Sequence, residues 1–219
     1  MKSVVFSISI ALAFLQAAAA QDAISPASHI ELFNGKDFTG WTFYMKTNAD
    51  PMQTWSITNG MIHCTGKPTG YMRTDKAYHD FKVTVEWRFT KADNTGVLVF
   101  MQDRDPAASP GEIWPQCVEC QGMHGHQGDF WLWGGAICQE PFNLKKNGVA
   151  MLQPSNENPA GEWNTYQVIC SGNTVEIVVN GKTINNITGC DISSGGIGIQ
   201  SEGAGIDVRK IYLEPLNQN

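Results

Sequence analysis

The side chains best suited to acid–base chemistry lie in the segment 113–121, whose sequence is Ile-Trp-Pro-Gln-Cys-Val-Glu-Cys-Gln. If residues 116–121 form a strand, Glu119 and Gln121 share one of its faces, with Cys117 beside them. A carboxylate and an amide on one face could act as a base and as a clamp for a substrate. A solvated face of an ordinary strand has the same spacing. The pattern therefore indicates a candidate site and leaves this alternative open.

The scarcity of carboxylates in this segment argues against one common chemistry. Retaining glycosidases need two carboxylates close together, and jelly-roll glucanases commonly carry them on one strand as Glu-x-Asp-x-x-Glu. Here Glu119 stands alone, because Cys120 and Gln121 follow it. An ordinary glycosidase with two carboxylates is therefore disfavoured.

A metal site is a second possibility, in the Gly-rich sequence His-Gly-His-Gln-Gly-Asp. His124, His126 and Asp129 place two imidazoles and a carboxylate within six residues, and these groups are common ligands of divalent metal ions. A divalent metal ion is thus a possible cofactor, with His126 and Asp129 as ligands. Polar side chains of a Gly-rich loop also extend into water without any function, so this alternative stays open.

Two tryptophans could form a platform for a flat ligand. Trp131 and Trp133 lie at i and i+2 in Phe-Trp-Leu-Trp-Gly-Gly, so both rings could face one way. Exposed tryptophan rings stack on the apolar faces of sugars, which suits a carbohydrate-active protein. Burial in the core is the alternative, and it is the better interpretation for most of the seven tryptophans.

Two more pairs of polar residues share a face of a predicted strand. Glu86 and Arg88 alternate with apolar residues and could form a simple surface ion pair. They would matter for function only if that face were concave. Gln200 and Glu202 also share a face, at a strand end that precedes two glycines.

Several functions are disfavoured by what the sequence lacks. It has no Gly-rich phosphate-binding loop, no Gly-x-Ser-x-Gly motif and no basic aromatic patch, so nucleotide binding and Ser-triad hydrolysis are unsupported. Fifteen basic residues against 21 acidic residues give a net charge of −6, which argues against nucleic acid and anionic lipid as partners. The hydrophobic content of 42% is that of a folded chain.

The elements that must position these side chains are strands and turns. Residues 81–89 show the clearest alternation, with apolar residues at odd positions and polar residues at even positions. The dipeptide Asn180-Gly181 predicts a tight hairpin between two later strands. Short strands separated by turns predict an all-β fold, a sandwich or jelly roll of two antiparallel sheets. Further strands are predicted over residues 95–102, 165–170, 174–180, 182–186, 196–200 and 206–213.

The first twenty residues predict a signal peptide and not a part of the fold. An apolar run from Val4 to Leu15 is followed by the small residues Ala17 to Ala20, the arrangement that a signal peptidase cleaves. The run is shorter than the ~20 residues needed to span a bilayer, and no cysteine follows it that could carry a lipid. We therefore expect a leader at 1–20, one domain at 21–219, and a periplasmic or secreted product without a membrane span.

Export would place the six cysteines in an oxidising compartment, where an even number suggests disulfides. Cys170 and Cys190 flank the predicted hairpin and are the preferred bridge, while the other pairings stay open. Cys117-x-x-Cys120 resembles half of a zinc site, but no second such motif supplies the remaining ligands. A disulfide is therefore favoured over structural zinc.

Several motifs, taken in order, resemble one family of exported bacterial proteins. The segment 34–41, Asn-Gly-Lys-Asp-Phe-Thr-Gly-Trp, is followed by Trp55-Ser56-Ile57 and by Gly60 to Cys64. The motifs span about residues 30–215. They are similar to those of the family first catalogued as a domain of unknown function and now called 3-keto-disaccharide hydrolase. The resemblance continues through residues 71–74, 81–88, 94–97, 113–121, 161–166 and 198–203.

The resemblance implies a concanavalin A-like jelly roll that cleaves the glycosidic bond of 3-keto-glycosides, in which the sugar is oxidised to a ketone at C3. It implies a lyase reaction that eliminates the substituent at C1 and leaves a 2-hydroxy-glycal, which is then hydrated. The ketone acidifies the hydrogen at C2, so one base suffices, and a metal ion or fixed donors must stabilise the enediolate. A non-catalytic, lectin-like carbohydrate-binding module is the alternative, because the same fold hosts lectins.

Under this interpretation each candidate residue has an expected role. Glu119 is expected to act as base or metal ligand, and Gln121 to hold sugar hydroxyls. Arg73 and Arg88 are expected to stabilise the enediolate. The remaining candidates are His124 as a catalytic group, Trp131 as a stacking platform, Glu86, Gln200 and Glu202 as substrate contacts, and His126 and Asp129 as metal ligands.

Overall fold

The computed structural model describes residues 22–104 and 112–216. This part of the chain contains β-strands and two short 3₁₀ helices, Lys46–Asn48 and Pro51–Gln53, and no α-helix. None of its helices is long and apolar enough to cross a membrane. The leader predicted at residues 1–20 lies outside the described residues, as does the end of the domain predicted at 21–219.

Fifteen strands form in the described residues, and each predicted strand is present within two residues of its expected ends. In chain order the strands are β1 (Ile30–Glu31), β2 (Trp41–Met45), β3 (Trp55–Thr58), β4 (Met61–Cys64), β5 (Gly70–Thr74), β6 (Phe81–Lys91), β7 (Gly96–Met101), β8 (Cys117–Gln121), β9 (Phe130–Trp133), β10 (Gly148–Val149), β11 (Asn164–Ser171), β12 (Thr174–Val179), β13 (Lys182–Ile187), β14 (Gly196–Ser201) and β15 (Gly205–Pro215).

The strands pair in two antiparallel sheets, as the sequence predicted. The eight-stranded sheet has the order β13-β12-β11-β6-β15-β4-β3, with β1 added beside β15. The seven-stranded sheet has the order β10-β9-β8-β7-β14-β5-β2. The chain crosses from one sheet to the other between β5 and β6, and back again between β6 and β7. Residues distant in sequence therefore become neighbours in both sheets.

Alternation along β6 shows how the sequence builds the core. Phe81, Val83 and Trp87 are fully buried between the two sheets. Glu86 and Arg88 project from the other side of the strand and form ion pairs with residues of β15. Successive side chains of a strand point to opposite faces, so the period of two in the sequence predicted this division correctly.

The hairpin between β12 and β13 forms at the predicted dipeptide. Asn180 and Gly181 have positive φ angles of 48° and 78°, which a type I′ turn requires at both central residues. This turn matches the twist of paired strands, and β12 pairs with β13 from Val179 and Lys182 to Val175 and Ile187. The local sequence therefore determines this edge of the eight-stranded sheet.

The two faces of the seven-stranded sheet differ, and this difference positions the candidate site. On the inner face, Val97 and Val118 join the core between the sheets. Since neighbours along a strand point to opposite faces, Glu119 and Gln121 lie on the outer face. That face also carries a second buried cluster, formed by Tyr71, Leu98, Met101, Trp114 and Cys117.

All six cysteines are free thiols in the structure, so the bridge predicted between Cys170 and Cys190 is absent from it. Both thiols are buried, and burial raises their pKa, that of Cys190 to about 12. Cys117 and Cys120 belong to different apolar clusters on opposite faces of β8, because they are three residues apart on one strand. They therefore cannot share a metal ion.

Candidate active site

A cavity of about 300 Å³ opens on the outer face of the seven-stranded sheet. Strands β8 and β9 supply much of its wall, the loop between β9 and β10 closes one side, and residues adjoining β7 and β14 close the other. Its volume is at the lower end for ligand pockets and fits a small molecule. The lining residues are Asn94, Glu119, Gln121, Met123, Trp131, Trp133, Lys145, Asn147 and Glu202.

Strand β8 places the two polar residues that the sequence indicated. Glu119 and Gln121 alternate with Val118 and Cys120, which point into the core, so both lie on the outer face. Gln121 is paired with Gly96 of β7. A Cβ atom at Gly96 would lie 3.2 Å from Oε1 of Glu119. The glycine therefore leaves room for the carboxyl group.

Glu119 is a buried carboxyl group at the floor of the cavity, with 1% of its surface exposed. The Nε1–H group of Trp133 donates a hydrogen bond to its Oε2 atom over 2.5 Å. Burial raises the pKa of Glu119 to about 8, while the hydrogen bond from Trp133 opposes the rise and the nearby Glu202 adds to it. A carboxyl group with a pKa near neutrality can both accept and release a proton during a reaction.

Glu202 brings a second carboxyl group to the same cavity. It follows β14, and its Oε2 atom accepts a hydrogen bond from Nδ2 of Asn94 over 2.7 Å. Burial raises its pKa, and the charge of Asp93 adds to the rise. The cavity therefore holds two carboxyl groups, Glu119 and Glu202, both of which were candidates from the sequence. The motif on β8 could not reveal Glu202, which comes from a strand two positions away in the sheet.

Two buried polar atoms without a hydrogen-bond partner, Oδ1 of Asn94 and Nε1 of Trp131, belong to residues that line this cavity. Among the described residues, ten buried side-chain nitrogen or oxygen atoms have no hydrogen-bond partner, and four of them belong to Asn94, Trp131 and Gln200. Gln200 is fully buried beside Glu119 and does not line the cavity, and its amide lowers the pKa of that carboxyl group against the rise from burial. A buried polar atom without a partner lowers the stability of the folded state, and such atoms are few in folded proteins. The unpaired atoms of Asn94 and Trp131 could therefore pair with a polar ligand in the cavity.

Trp131 and Trp133 share the outer face of β9, as their spacing predicted. Their half-buried rings stack with centroids 6.4 Å apart and planes at 21°. The row of rings continues from Trp133 through Trp114 and Tyr71 to Tyr44, with centroid separations between 5.6 and 6.3 Å. At its Trp131 end, this row forms an apolar wall of the cavity.

Arg73 shares the outer face but does not line the cavity. It lies in the same cross-strand row as Glu119, with Gly198 and Leu98 on the two intervening strands. Three strand spacings separate the backbones of Arg73 and Glu119 by about 14 Å. The Nη2 atom of Arg73 instead donates to Oδ1 of Asp103 over 3.1 Å. The structure does not bring Arg73 and Glu119 together.

Glu86 and Arg88 lie on the other side of the molecule, on the outer face of the eight-stranded sheet. Nε of Arg88 donates to Oδ2 of Asp207 over 2.9 Å, and its guanidinium group lies 4.9 Å from the ring centroid of Trp163. Glu86 accepts a hydrogen bond from Nε of Arg209 over 2.6 Å. Periodicity predicted their strand correctly but contained no signal for the sheet that the strand joins. Neither residue can contribute to this cavity.

The histidines that follow β8 do not assemble the predicted metal site. Nδ1 of His124 lies 3.4 Å from a carboxylate oxygen of Glu157. Nδ1 of His126 lies 3.2 Å from Oδ2 of Asp129, whose Oδ1 accepts a hydrogen bond from the amide of Met151. No three His, Cys, Asp or Glu side chains converge as metal ligands in the described part of the chain. These residues do not fit a metal centre, and they tie the loop to its neighbours.

Residues 28–214 match the family model described as the 3-keto-alpha-glucoside-1,2-lyase-like domain. A curated relative, the 3-keto-disaccharide hydrolase of Bacteroides thetaiotaomicron, is 24% identical over 172 residues. The match covers 73% of this chain and 57% of the relative. The chain therefore spans little more than half the length of that relative.

Solved structures establish the fold independently. A protein of Parabacteroides distasonis, provisionally described as a glycosyl hydrolase, has a TM-score of 0.62 at 21% identity and covers 87% of this chain and 94% of its own. The β-glucanase of Bacillus licheniformis has a TM-score of 0.56 at 14% identity, with coverage of 86% and 97%. The carbohydrate-binding module CBM66 of Bacillus subtilis has a TM-score of 0.55 at 12% identity, with coverage of 80% and 95%.

These structural likenesses confirm the predicted concanavalin A-like jelly roll. They include both an enzyme and a binding module, so the fold by itself does not decide between catalysis and binding. The family model is more specific, because it matches an almost continuous span of the two sheets, including every residue that lines the cavity. The chain belongs to the family of 3-keto-alpha-glucoside-1,2-lyase-like domains, as its ordered motifs predicted.

Proposed function

We propose that this protein cleaves the glycosidic bond of a glycoside whose sugar carries a ketone at C3, by elimination across C1 and C2. The observation that carries the proposal is Glu119, a buried carboxyl group with a pKa raised to about 8 at the floor of a cavity of about 300 Å³. Membership of the family and the 3-keto-disaccharide hydrolase relative support the same class of substrate.

The first step requires a base near C2 of the sugar. Ionised Glu119 takes the C2 hydrogen as a proton, the electron pair of the C2–H bond forms a C2–C3 double bond, and the ketone oxygen becomes negatively charged. Because its pKa is raised, Glu119 is a stronger base than an ordinary carboxylate and is still partly ionised at neutral pH. Proton transfer is efficient when the pKa of the group lies near the working pH.

The second step expels the aglycone. The negative oxygen re-forms the C3 carbonyl, the electron pair of the C2–C3 double bond moves to C1–C2, and the C1–O bond breaks. Glu202, whose pKa is raised by burial, gives a proton to the departing oxygen. The products are the aglycone alcohol and a 2-hydroxy-3-keto-glycal, to which water adds to form the 3-keto sugar.

The unpaired polar atoms around the cavity are suited to the hydroxyl groups of the same sugar. Asn94, which lines the cavity, has an Oδ1 atom without a hydrogen-bond partner. Gln121 has its Oε1 atom engaged by the amide of Met123 over 2.9 Å, so its side chain is held in place with the NH₂ group free to donate. These amides would orient the ring over Glu119.

We expect Trp131→Ala to raise KM for a 3-keto-glucoside about tenfold. A tenfold change corresponds to about 1.4 kcal/mol of binding free energy, which is reasonable for the loss of one apolar wall against the sugar ring. Steady-state kinetics of the purified variant provide the measurement. Trp163→Ala is the matched control, since Trp163 packs against Arg88 and Arg209 on the opposite sheet. If the two substitutions changed KM equally, Trp131 would not be a stacking platform for the sugar.

The experiment that tests the function offers the full chain four substrates: 3-keto-trehalose, a 3-keto-β-glucoside, and the two corresponding unoxidised glycosides. We expect release of the aglycone from one or both keto substrates and from neither unoxidised glycoside. The rate should fall when deuterium replaces hydrogen at C2, because that bond breaks in the first step. Addition of a chelator to the same assay measures any requirement for a divalent metal ion.

Direct hydrolysis of an unoxidised glycoside is a second candidate, favoured by the presence of both Glu119 and Glu202 in one cavity. Glycosidases use such a pair as acid and as nucleophile or base. This reaction would consume the unoxidised glycosides and show no primary isotope effect at C2. A lectin-like module would bind unoxidised glycans and turn over none of the four substrates. Either result would overturn the proposed elimination.

A further inference from the structure

Lys145 is the only basic residue among those that line the cavity in the described part of the chain. Its Nζ atom lies 5.6 Å from the ring centroid of Trp131. None of the ion pairs within residues 22–104 and 112–216 involves Lys145. A cation placed on an aromatic wall without a carboxylate partner is available to a negative group of a ligand.

The loop that carries Lys145 is held firmly against β9. Its ends are joined by two backbone hydrogen bonds, from Leu144 N to Gly148 O over 3.0 Å and from Gly148 N to Leu144 O over 2.9 Å. Asn147 is bound to Leu132 of β9 by its backbone oxygen, which accepts from the Leu132 amide over 2.9 Å, and by its Nδ2 atom, which donates to Leu132 O over 2.8 Å. Lys145 therefore lies in a turn that these hydrogen bonds hold against β9.

The backbone at Lys145 is in the left-handed region, with φ at 52°. Residues with a side chain other than Asn or Asp rarely adopt this conformation, and where they do it is often at functional sites. Gly148 of the same turn lies directly on Trp131, since a Cβ atom there would come within 3.1 Å of the indole ring. The turn and the aromatic wall are thus packed as one unit that directs Lys145 to the cavity.

The order of charged groups across the sheet matches the order of the reacting atoms. Lys145 approaches from the β9 side, Glu119 lies on β8, and Glu202 approaches from the β14 side, in a sheet ordered β9-β8-β7-β14. In the proposed elimination the charge changes occur at the C3 oxygen, at C2 and at the C1 oxygen, which are consecutive along the sugar. A ring bound with C2 over Glu119 and C1 toward Glu202 has its C3 oxygen toward Lys145.

We propose that Lys145 is a catalytic residue that stabilises the enediolate, its ammonium group donating a hydrogen bond to the C3 oxygen as the ketone gains negative charge. This inference rests on the proposed elimination and assigns its missing oxyanion-binding group, the role for which Arg73 and Arg88 were expected. The lysine keeps its protons throughout, so no further proton or electron enters the step. Preorganised donors aimed at a developing oxyanion stabilise the transition state more than the bound substrate, so the effect belongs to kcat.

The test compares Lys145→Met with Lys146→Met. Methionine retains an unbranched side chain of similar length without the charge, and Lys146 is an exposed neighbour that does not line the cavity. On the 3-keto-glycoside that the wild type cleaves, we expect Lys145→Met to lower kcat about 100-fold with KM changed less than threefold, and Lys146→Met to change neither by more than twofold. Lys145→Arg should restore part of kcat, because the guanidinium group keeps the charge and the donors.

A second readout isolates the first step from loss of the aglycone. The substrate is the 3-keto derivative of 1,5-anhydroglucitol, which has no leaving group at C1, and exchange of its C2 hydrogen is followed by NMR in D₂O. Lys145→Met should slow enzyme-catalysed exchange by about the same factor as kcat. If the wild type cleaves keto substrates while Lys145→Met retains kcat and exchange, the catalytic role of Lys145 is wrong and the proposed elimination still stands. If the wild type neither cleaves nor exchanges, the proposed function fails and the assignment with it.

Discussion

Glu119→Gln is expected to lower kcat/KM on a 3-keto-glucoside by roughly 1,000-fold, within the range that general acid–base groups contribute. Glutamine has the shape of glutamate and can still accept the hydrogen bond that Trp133 donates to Oε2. It cannot take a proton from C2, and the remaining groups of the cavity do not replace it as a base near that atom. The loss should therefore appear in kcat with little change in KM.

Steady-state kinetics with Glu119→Gln, Glu162→Gln and the wild type provide the measurement. Glu162 is an exposed glutamate outside the cavity, so its substitution controls for a change of net charge by one unit and should leave the rate within a factor of two. Exchange of the C2 hydrogen, which needs no proton from Glu202, should rise with pH through an apparent pKa near 8 in the wild type, because only ionised Glu119 is a base. Cleavage also needs protonated Glu202, so kcat/KM should pass through a maximum as the pH rises. A Glu119→Gln variant with more than a tenth of the wild-type kcat would show that Glu119 is not the base.

The same substitution is expected to change how stability depends on pH. In the unfolded chain a glutamate ionises near pH 4.5, whereas folded Glu119 retains its proton until the pH approaches 8. Below pH 4.5 Glu119 is protonated in both the folded and the unfolded chain, so it does not make the free energy of unfolding depend on pH. Between these values the folded state holds a proton that the unfolded state has lost, so the free energy of unfolding falls by about 1.4 kcal/mol per pH unit. Above pH 8 the decline from this group ends.

Glu119→Gln removes this titration, so the variant should become progressively more stable than the wild type as the pH rises. Urea unfolding at pH 5, 6, 7 and 8 measures the difference, which we expect to grow from near zero to as much as ~4 kcal/mol. Glu202 titrates in both proteins, so its contribution largely cancels in the comparison. Glu162→Gln should run parallel to the wild type. Parallel curves for Glu119→Gln would mean that Glu119 ionises normally in the folded state.

The burial of Glu119 affects both activity and stability. A carboxyl group buried beside Trp133 lowers stability at neutral and alkaline pH, and the same burial makes the carboxylate a stronger base. The Oδ1 atom of Asn94, which lacks a partner, has a similar character, since it lowers stability until a ligand satisfies it. The cavity thus combines two carboxyl groups with a raised pKa and a polar atom that lacks a partner.

Prediction from the sequence succeeded where the information was local. Alternation along 81–89 predicted β6, and Asn180-Gly181 predicted the β12–β13 hairpin, because a period of two and a type I′ turn are properties of adjacent residues. The same argument placed Glu119 with Gln121, and Trp131 with Trp133, on shared faces. It could not place Glu86 and Arg88, because a strand with the right alternation fits either sheet.

Prediction failed for residues whose neighbours are set by the order of strands in the sheets and not by the local sequence. Arg73 was expected near the base, yet it lies three strands away along the same row. Cys170 and Cys190 flank a correctly predicted hairpin and are still free thiols. Lys145 had no signal beyond being one of the chain's basic residues, because a left-handed backbone angle and packing on Trp131 depend on hydrogen bonds with β9.

The sequence by itself therefore determined the all-β architecture, the main strands, and the pairs of residues that share a strand face, together with the family to which the chain belongs. Only the tertiary structure decided which residues line the candidate cavity together, which carboxylates meet there, and which cation accompanies them. The bond between Asn94 and Glu202 joins residues 108 positions apart. Contacts over such separations arise from the order of strands in the sheet, which long-range packing selects and local periodicity does not encode.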